Sequence, residues 1–156
     1  MSERQTVARG QYGDGLSWLV WAQREARDDG QPGAELTTMI RVTDASGRVL
    51  REGGASGPAL SPGQLMNVST GGGDEGPYCI LARVDPGIRR VAVTTEAGEV
   101  MDMPVYDAPD FPEVRFAVLL VPRDLRLAVV TGHGPDGREL ERCDLGFHQR
   151  FWHGRR

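Results

Sequence analysis

Lysine is missing from this chain. All 18 of its basic residues are arginine. No lysine is therefore available to hold a nucleotide phosphate in a Walker A loop, to form a Schiff base with pyridoxal phosphate, or to fill the strand position that kinases require. The codon preference of a GC-rich genome accounts for such a bias without reference to function. Cysteine is nearly missing too, with only Cys79 and Cys143. Two thiols cannot build a disulfide framework, and in a reducing compartment both stay free. The sequence has no G-x-S-x-G elbow, no H-E-x-x-H and no C-x-x-C, so the usual serine-hydrolase, zinc-protease and dithiol signatures are absent. No apolar run approaches the length of a membrane span, and the opening "MSERQTVARGQYGDG" has no apolar core for a signal peptide. The expectation is a cytoplasmic chain without a membrane partner, in which the sequon Asn67-Val68-Ser69 is idle. Positive charge is also short: the formal net charge is −4. General binding to nucleic acid or to anionic lipid needs a strongly basic face, and the overall balance gives none.

What is present is a loop-rich chain of 156 residues with 21 glycines and 10 prolines. A hydrophobic fraction of 39% and a mean hydropathy of −0.38 are enough for a packed core at this length. The hydrophobic period is two rather than 3.6. In "LTTMIRVT", Leu36, Thr38, Ile40 and Val42 share one face, which predicts a half-buried strand. "DASG" turns the chain into "RVLRE", giving a hairpin with Gly47 at the positive-φ position. "GGASGPALSPG" reads as a loop. Further strands are predicted at "LMNVS", "YCILARV", "RRVAVTT", "EVMDMPV", "LRLAVVT" and "RELERCDL". "LSWLVWA" is read as a strand on its tryptophan, valine and leucine content, although "QREARDDG" after it leaves a helix open. "VRFAVLLV" is apolar on both faces and belongs in the interior of a sheet.

Nine or ten strands at this spacing predict an all-β fold. The pattern resembles an antiparallel β-sandwich, immunoglobulin-like or related. The signature of true immunoglobulin domains is missing, because Trp18 and Trp21 both precede the two cysteines. The resemblance is one of fold pattern and carries no activity with it. The predicted organisation is a mobile N-terminal arm over residues 1–13, a single sandwich domain over 14–145, and an aromatic, basic C-terminal tail over 146–156.

Two stretches spell G-x-G-x-x-G: Gly71, Gly73, Gly76 and Gly132, Gly134, Gly137. A dinucleotide fingerprint opens a helix inside a βαβ unit. Neither stretch has that context, and both read as turns, so no cofactor is assigned. The acidic strap "DMPVYDAPDFPEVRF", residues 102–116, brings Tyr106, Asp107, Asp110 and Phe111 close in sequence, which makes these four the candidate ligand-binding residues. Pro109 and Pro112 bias Ala108 and Phe111 toward extended backbone, so the strap is expected to be drawn out, with its carboxylates spread and no metal held between them. His133 falls in a hairpin turn. Cys79 sits in an apolar strand, the usual place for an inert thiol. In the tail, Phe147, Arg150, Phe151, Trp152 and Arg155 combine buried area with charge-assisted bonding, and are the candidate partner-binding residues. The leading functional expectation is a non-enzymatic β-sandwich module that binds a protein partner or itself through loops, sheet edges or the C-terminal tail, with no catalytic residue assigned. The alternative is a small hydrolase or carbohydrate-type ligand-binding protein with its site near residues 102–116.

Overall fold

The computed structural model describes residues 4–26, 34–72 and 75–145. They form twelve strands in three antiparallel four-stranded sheets, with no helix among the described residues. Among the described residues, no helix is long and apolar enough to cross a membrane. The chain divides into two compact units, Met1–Ala59 and Leu60–Arg156.

The first unit is a meander of β1 (Gln5–Tyr12), β2 (Leu16–Ala26), β3 (Ala34–Thr43) and β4 (Val49–Gly57), each paired with the next. Leu36, Thr38, Ile40 and Val42 are all buried, as the period of two in β3 predicts, although Thr37 on the other face is buried as well. Register sets Ile40 and Thr38 opposite Val20 and Ala22 of β2, which are buried as well. "LSWLVWA" is a strand, and it runs on through "QREA". The β3–β4 turn closes with the Gly47 amide donating to the Asp44 carbonyl (3.0 Å) and Gly47 at φ 89°. Two features differ from the sequence reading. Gln5–Tyr12, within the segment read as an arm, is a strand paired with β2. "GGASG" belongs to β4 rather than to a loop. The reason for the second lies across the sheet, since a Cβ on Gly54 would collide with the Thr38 carbonyl oxygen of β3. Glycine here permits close strand approach, which a local reading takes for turn chemistry.

The second unit holds β5 (Met66–Gly71), β6 (Tyr78–Val84), β7 (Arg90–Thr95), β8 (Val100–Met103), β9 (Val105–Tyr106), β10 (Arg115–Val121), β11 (Leu127–His133) and β12 (Glu139–Asp144). One sheet is ordered β5-β6-β10-β9 and the other β12-β11-β7-β8. The chain leaves the second sheet after β8 and enters the first at β9, with only Pro104 between. A single cluster of buried side chains draws on both sheets: Tyr78, Ile80, Ala82 and Val84 of β6 with Val91 and Val93 of β7 and Val130 of β11. The apolar strand β10 lies inside its sheet between β6 and β9, as its two apolar faces predict. β6 is more deeply placed still, every residue from Tyr78 to Val84 being buried. Where the sequence predicts nine or ten strands, the described residues hold twelve, among them β1 and the two-residue β9.

Candidate functional site

The strap between β9 and β10 is folded, not drawn out. The Phe111 amide donates to the Ala108 carbonyl (2.9 Å), and the Val114 amide donates to the Phe111 carbonyl (3.3 Å), making two consecutive turns. Pro109 and Pro112 take the second position of each turn, where a fixed φ near −65° is favourable. Ala108 and Phe111 take the first positions, so the restriction that each proline imposes on its predecessor is met without extending the whole strap. The expectation of a drawn-out crossing is corrected on this point: the same prolines that stiffen an extended chain also start turns.

The folding of the strap separates the four candidate residues. Phe111 turns inward, 2% exposed, and meets Phe116 edge to face with ring centroids 6.0 Å apart. Asp110 is exposed, while Tyr106 is half-buried on β9 opposite Phe116. Asp107 and Phe111 line a surface cleft of about 310 Å³; Tyr106 and Asp110 are not among its lining residues. That volume is at the lower end for ligand pockets.

The cleft has a second wall that the sequence reading missed. Between β6 and β7, the Asp85 carboxylate accepts from the Gly87 amide (2.8 Å) and the Asp85 carbonyl accepts from the Ile88 amide (2.9 Å), fixing a turn with Pro86 at its second position. Arg89 follows, its amide donating to the His133 carbonyl (2.8 Å) while its side chain stands exposed at the cleft. Arg115, the first residue of β10, donates from Nε to Asp107 Oδ1 (2.7 Å) and from Nη1 to the Ile88 carbonyl (3.1 Å). The guanidinium is thereby tied to both walls. Its side chain is 16% exposed, against 76% for Asp107. The cleft thus carries two guanidiniums and one carboxylate, a local excess of positive charge on an acidic chain. Pro86, Pro109 and Pro112 supply walls with little freedom to move. The only sequence signals for this arrangement were an arginine opening an apolar strand and another just after "DPGI". Neither reveals that the two meet.

Asp107 is committed to Arg115 and Asp110 faces solvent, so no two carboxylates are enclosed together at the strap. No group of three or more His, Cys, Asp and Glu side chains that could hold a metal ion occurs among the described residues. The imidazole of His133 contacts the Thr131 hydroxyl through Nε2 (2.9 Å) and the Gly137 carbonyl through Nδ1 (3.3 Å). Gly134 and Gly137 form the β11–β12 turn, with Gly137 at φ 83°. Of the other glycine stretch, Gly73 lies outside the described residues. Neither cysteine forms a disulfide; Cys79 is buried and Cys143 half-buried, with burial, and then Asp144 and Glu141, pushing the Cys143 thiol up. The tail candidates Phe147, Arg150, Phe151, Trp152 and Arg155 lie outside the described residues.

A second, broader depression of about 400 Å³ lies on the sheet of the first unit, around Arg9, Gln11, Ser17, Leu19, Arg41 and Thr43. Register aligns Arg9, Leu19, Arg41 and Glu52 in one row across the four strands, and Arg41 pairs with Glu52. No protein-family model matches the chain, and no curated protein matches it.

Proposed function

We propose that this chain is a non-enzymatic interaction module, with a β-sandwich of immunoglobulin-like or related type in its second unit, and that it docks a protein partner in the strap cleft. One observation carries the reading: a guanidinium fixed between two proline-bearing turns, Arg115 held by Asp107 on one side and by the Ile88 carbonyl on the other. A rigid, half-buried arginine in an apolar-walled recess is the kind of group on which interfaces concentrate their binding energy. The reading includes a cytoplasmic setting, which suits two free thiols. A small hydrolase has less support, because the strap carboxylates are separated.

The test compares three forms of the chain in association measurements from cell extract. Ala108 lines the cleft and is only partly exposed, so Ala108→Trp fills the recess. A second form lacks residues 147–156. Partner recovery should be lost in the filled form and kept in the shortened one, with thermal melting showing that both fold. Recovery lost only on shortening would move the docking site to the tail. Recovery retained by both forms would remove the reading altogether.

A further inference from the structure

We infer that the strap cleft recognises a single carboxylate, that of an aspartate or glutamate in an exposed segment of the protein partner; this rests on the docking reading above and names its chemistry. The argument begins with unused donors. A guanidinium offers five N–H groups in a planar fork. Among the described residues, Arg115 uses Nε–H for Asp107 and one N–H of Nη1 for the Ile88 carbonyl, which leaves three of its five N–H groups, two of them on Nη2, for an incoming acceptor. Because two bonds already fix the plane, little further side-chain freedom is lost when a third partner arrives. Arg89 lines the same cleft from the opposite turn, and its exposed guanidinium stands on a backbone pinned by the His133 carbonyl.

Charge selects among acceptors. Among the residues that line the cleft, two arginines and Asp107 sum to +1. One carboxylate neutralises that sum, whereas a phosphate dianion would leave excess negative charge beside Asp107, where like charges repel. A neutral amide would match the shape of a carboxylate but would offer only one oxygen and forgo the charge-assisted bond. The cleft opens on the surface between two turns, and prolines, Val114 and Phe111 form much of its lining. Such a recess accommodates the methylenes and flanking backbone of a peptide better than the polar body of a free dicarboxylate.

Three probes separate these possibilities when titrated into the full chain: a blocked Ala-Glu-Ala tripeptide, its Ala-Gln-Ala counterpart, and glutarate. The readout is the arginine Nε–H resonances in a nitrogen-edited NMR spectrum, assigned through Arg89→Gln and Arg115→Lys variants. The glutamate peptide should shift the Arg115 resonance saturably, and the glutamine peptide should bind about tenfold more weakly, as expected for loss of one charge-assisted bond. Arg89→Gln alters an exposed side chain, so it should fold normally and weaken the glutamate peptide several-fold. Equal binding of the two peptides, failure of both to shift Arg115, or indifference to Arg89→Gln would overturn the inference. Glutarate binding as tightly as the glutamate peptide would overturn the peptide assignment. The docking reading is judged separately: if the glutamate peptide fails while Ala108→Trp still abolishes partner recovery, docking stands and carboxylate recognition falls. If the peptide shifts Arg115 while recovery survives Ala108→Trp, docking is the part that falls.

Discussion

The Asp44 carboxylate closes the turn between β3 and β4. It accepts from the Ser46 hydroxyl (2.6 Å), the Ser46 amide (2.9 Å) and the Arg48 amide (3.0 Å), and its second oxygen meets Arg48 Nε (3.3 Å). The Ser46 hydroxyl bond has the largest effect, and with the Arg48 and Ser46 amides and the Arg48 side chain it pulls the carboxyl down to about 2, against an opposing desolvation that outweighs either amide alone. A folded-state value below the ordinary 3.8 means that the stabilising contribution is complete above that value and is lost as pH falls through about 2. Asp44→Asn should therefore lower the melting temperature at neutral pH, and the gap from the native chain should close as pH approaches 2. Thermal melts of both forms across that range provide the check; a gap that stays constant would show that the carboxylate's charge is irrelevant. The two thiols make a second case at this scale. Burial pushes the Cys143 thiol up and so lowers its thiolate fraction further, and Cys79 is 2% exposed, so iodoacetamide should label Cys143 slowly and Cys79 only after unfolding. Mass spectrometry that found Cys79 labelled in the native chain would contradict its burial.

At the scale of elements, Gly54 and Ile80 stand for two different constraints. Gly54 sits where a Cβ would strike the Thr38 carbonyl, so Gly54→Ala must force β3 and β4 apart, at a cost of about 1–3 kcal/mol. Ile80 is fully buried in the core shared by the two sheets of the second unit, and Ile80→Ala should cost about 2–5 kcal/mol. Urea unfolding reads both; a Gly54→Ala chain as stable as the native one would mean that the strands yield freely there. These positions also mark what a linear reading can and cannot see. β3 is legible because its alternation is written in consecutive residues, and β10 because apolar residues on both faces require cover. β4 is illegible beyond Glu52, since the need for glycine at position 54 comes from the carbonyl of Thr38, far back in the sequence on the neighbouring strand. β1 is illegible because its side chains are mostly polar and only its pairing with β2 makes it a strand. The strap's turns are illegible for a subtler reason: a proline restricts only the residue before it, here Ala108 and Phe111, and leaves the rest of the segment free to fold. The Asp107 carboxylate is legible in the sequence, yet its pairing with Arg115 and the nearness of Arg89 depend on turns whose meeting is a tertiary fact.

At the scale of the whole molecule, charge and its placement separate two classes of partner. The chain carries −4 overall, and its cleft gathers two of its 18 arginines beside one aspartate. Duplex DNA binding depends on phosphate neutralisation, with log affinity falling against log salt at a slope of roughly −0.9 per contact. Two cleft arginines give at most about two such contacts, and the net negative field opposes even these. The chain should therefore show no measurable binding to a short duplex by fluorescence anisotropy at physiological salt, about 0.15 M, and only a shallow salt dependence below it. An acidic peptide segment makes a different demand. It needs one fixed guanidinium and a matched local charge, both of which survive an unfavourable net charge because the contact is short-ranged and partly shielded from solvent. Its association should be slow for a charged pair, since the long-range field of an acidic chain repels an acidic partner, and added salt should raise the on-rate while leaving the glutamate-over-glutamine preference largely intact. Stopped-flow measurements with the glutamate peptide at two salt concentrations test this: an on-rate that falls steeply with salt would mean that a basic surface other than the cleft steers the encounter, with Arg150, Arg155 and Arg156 of the tail the first residues to replace.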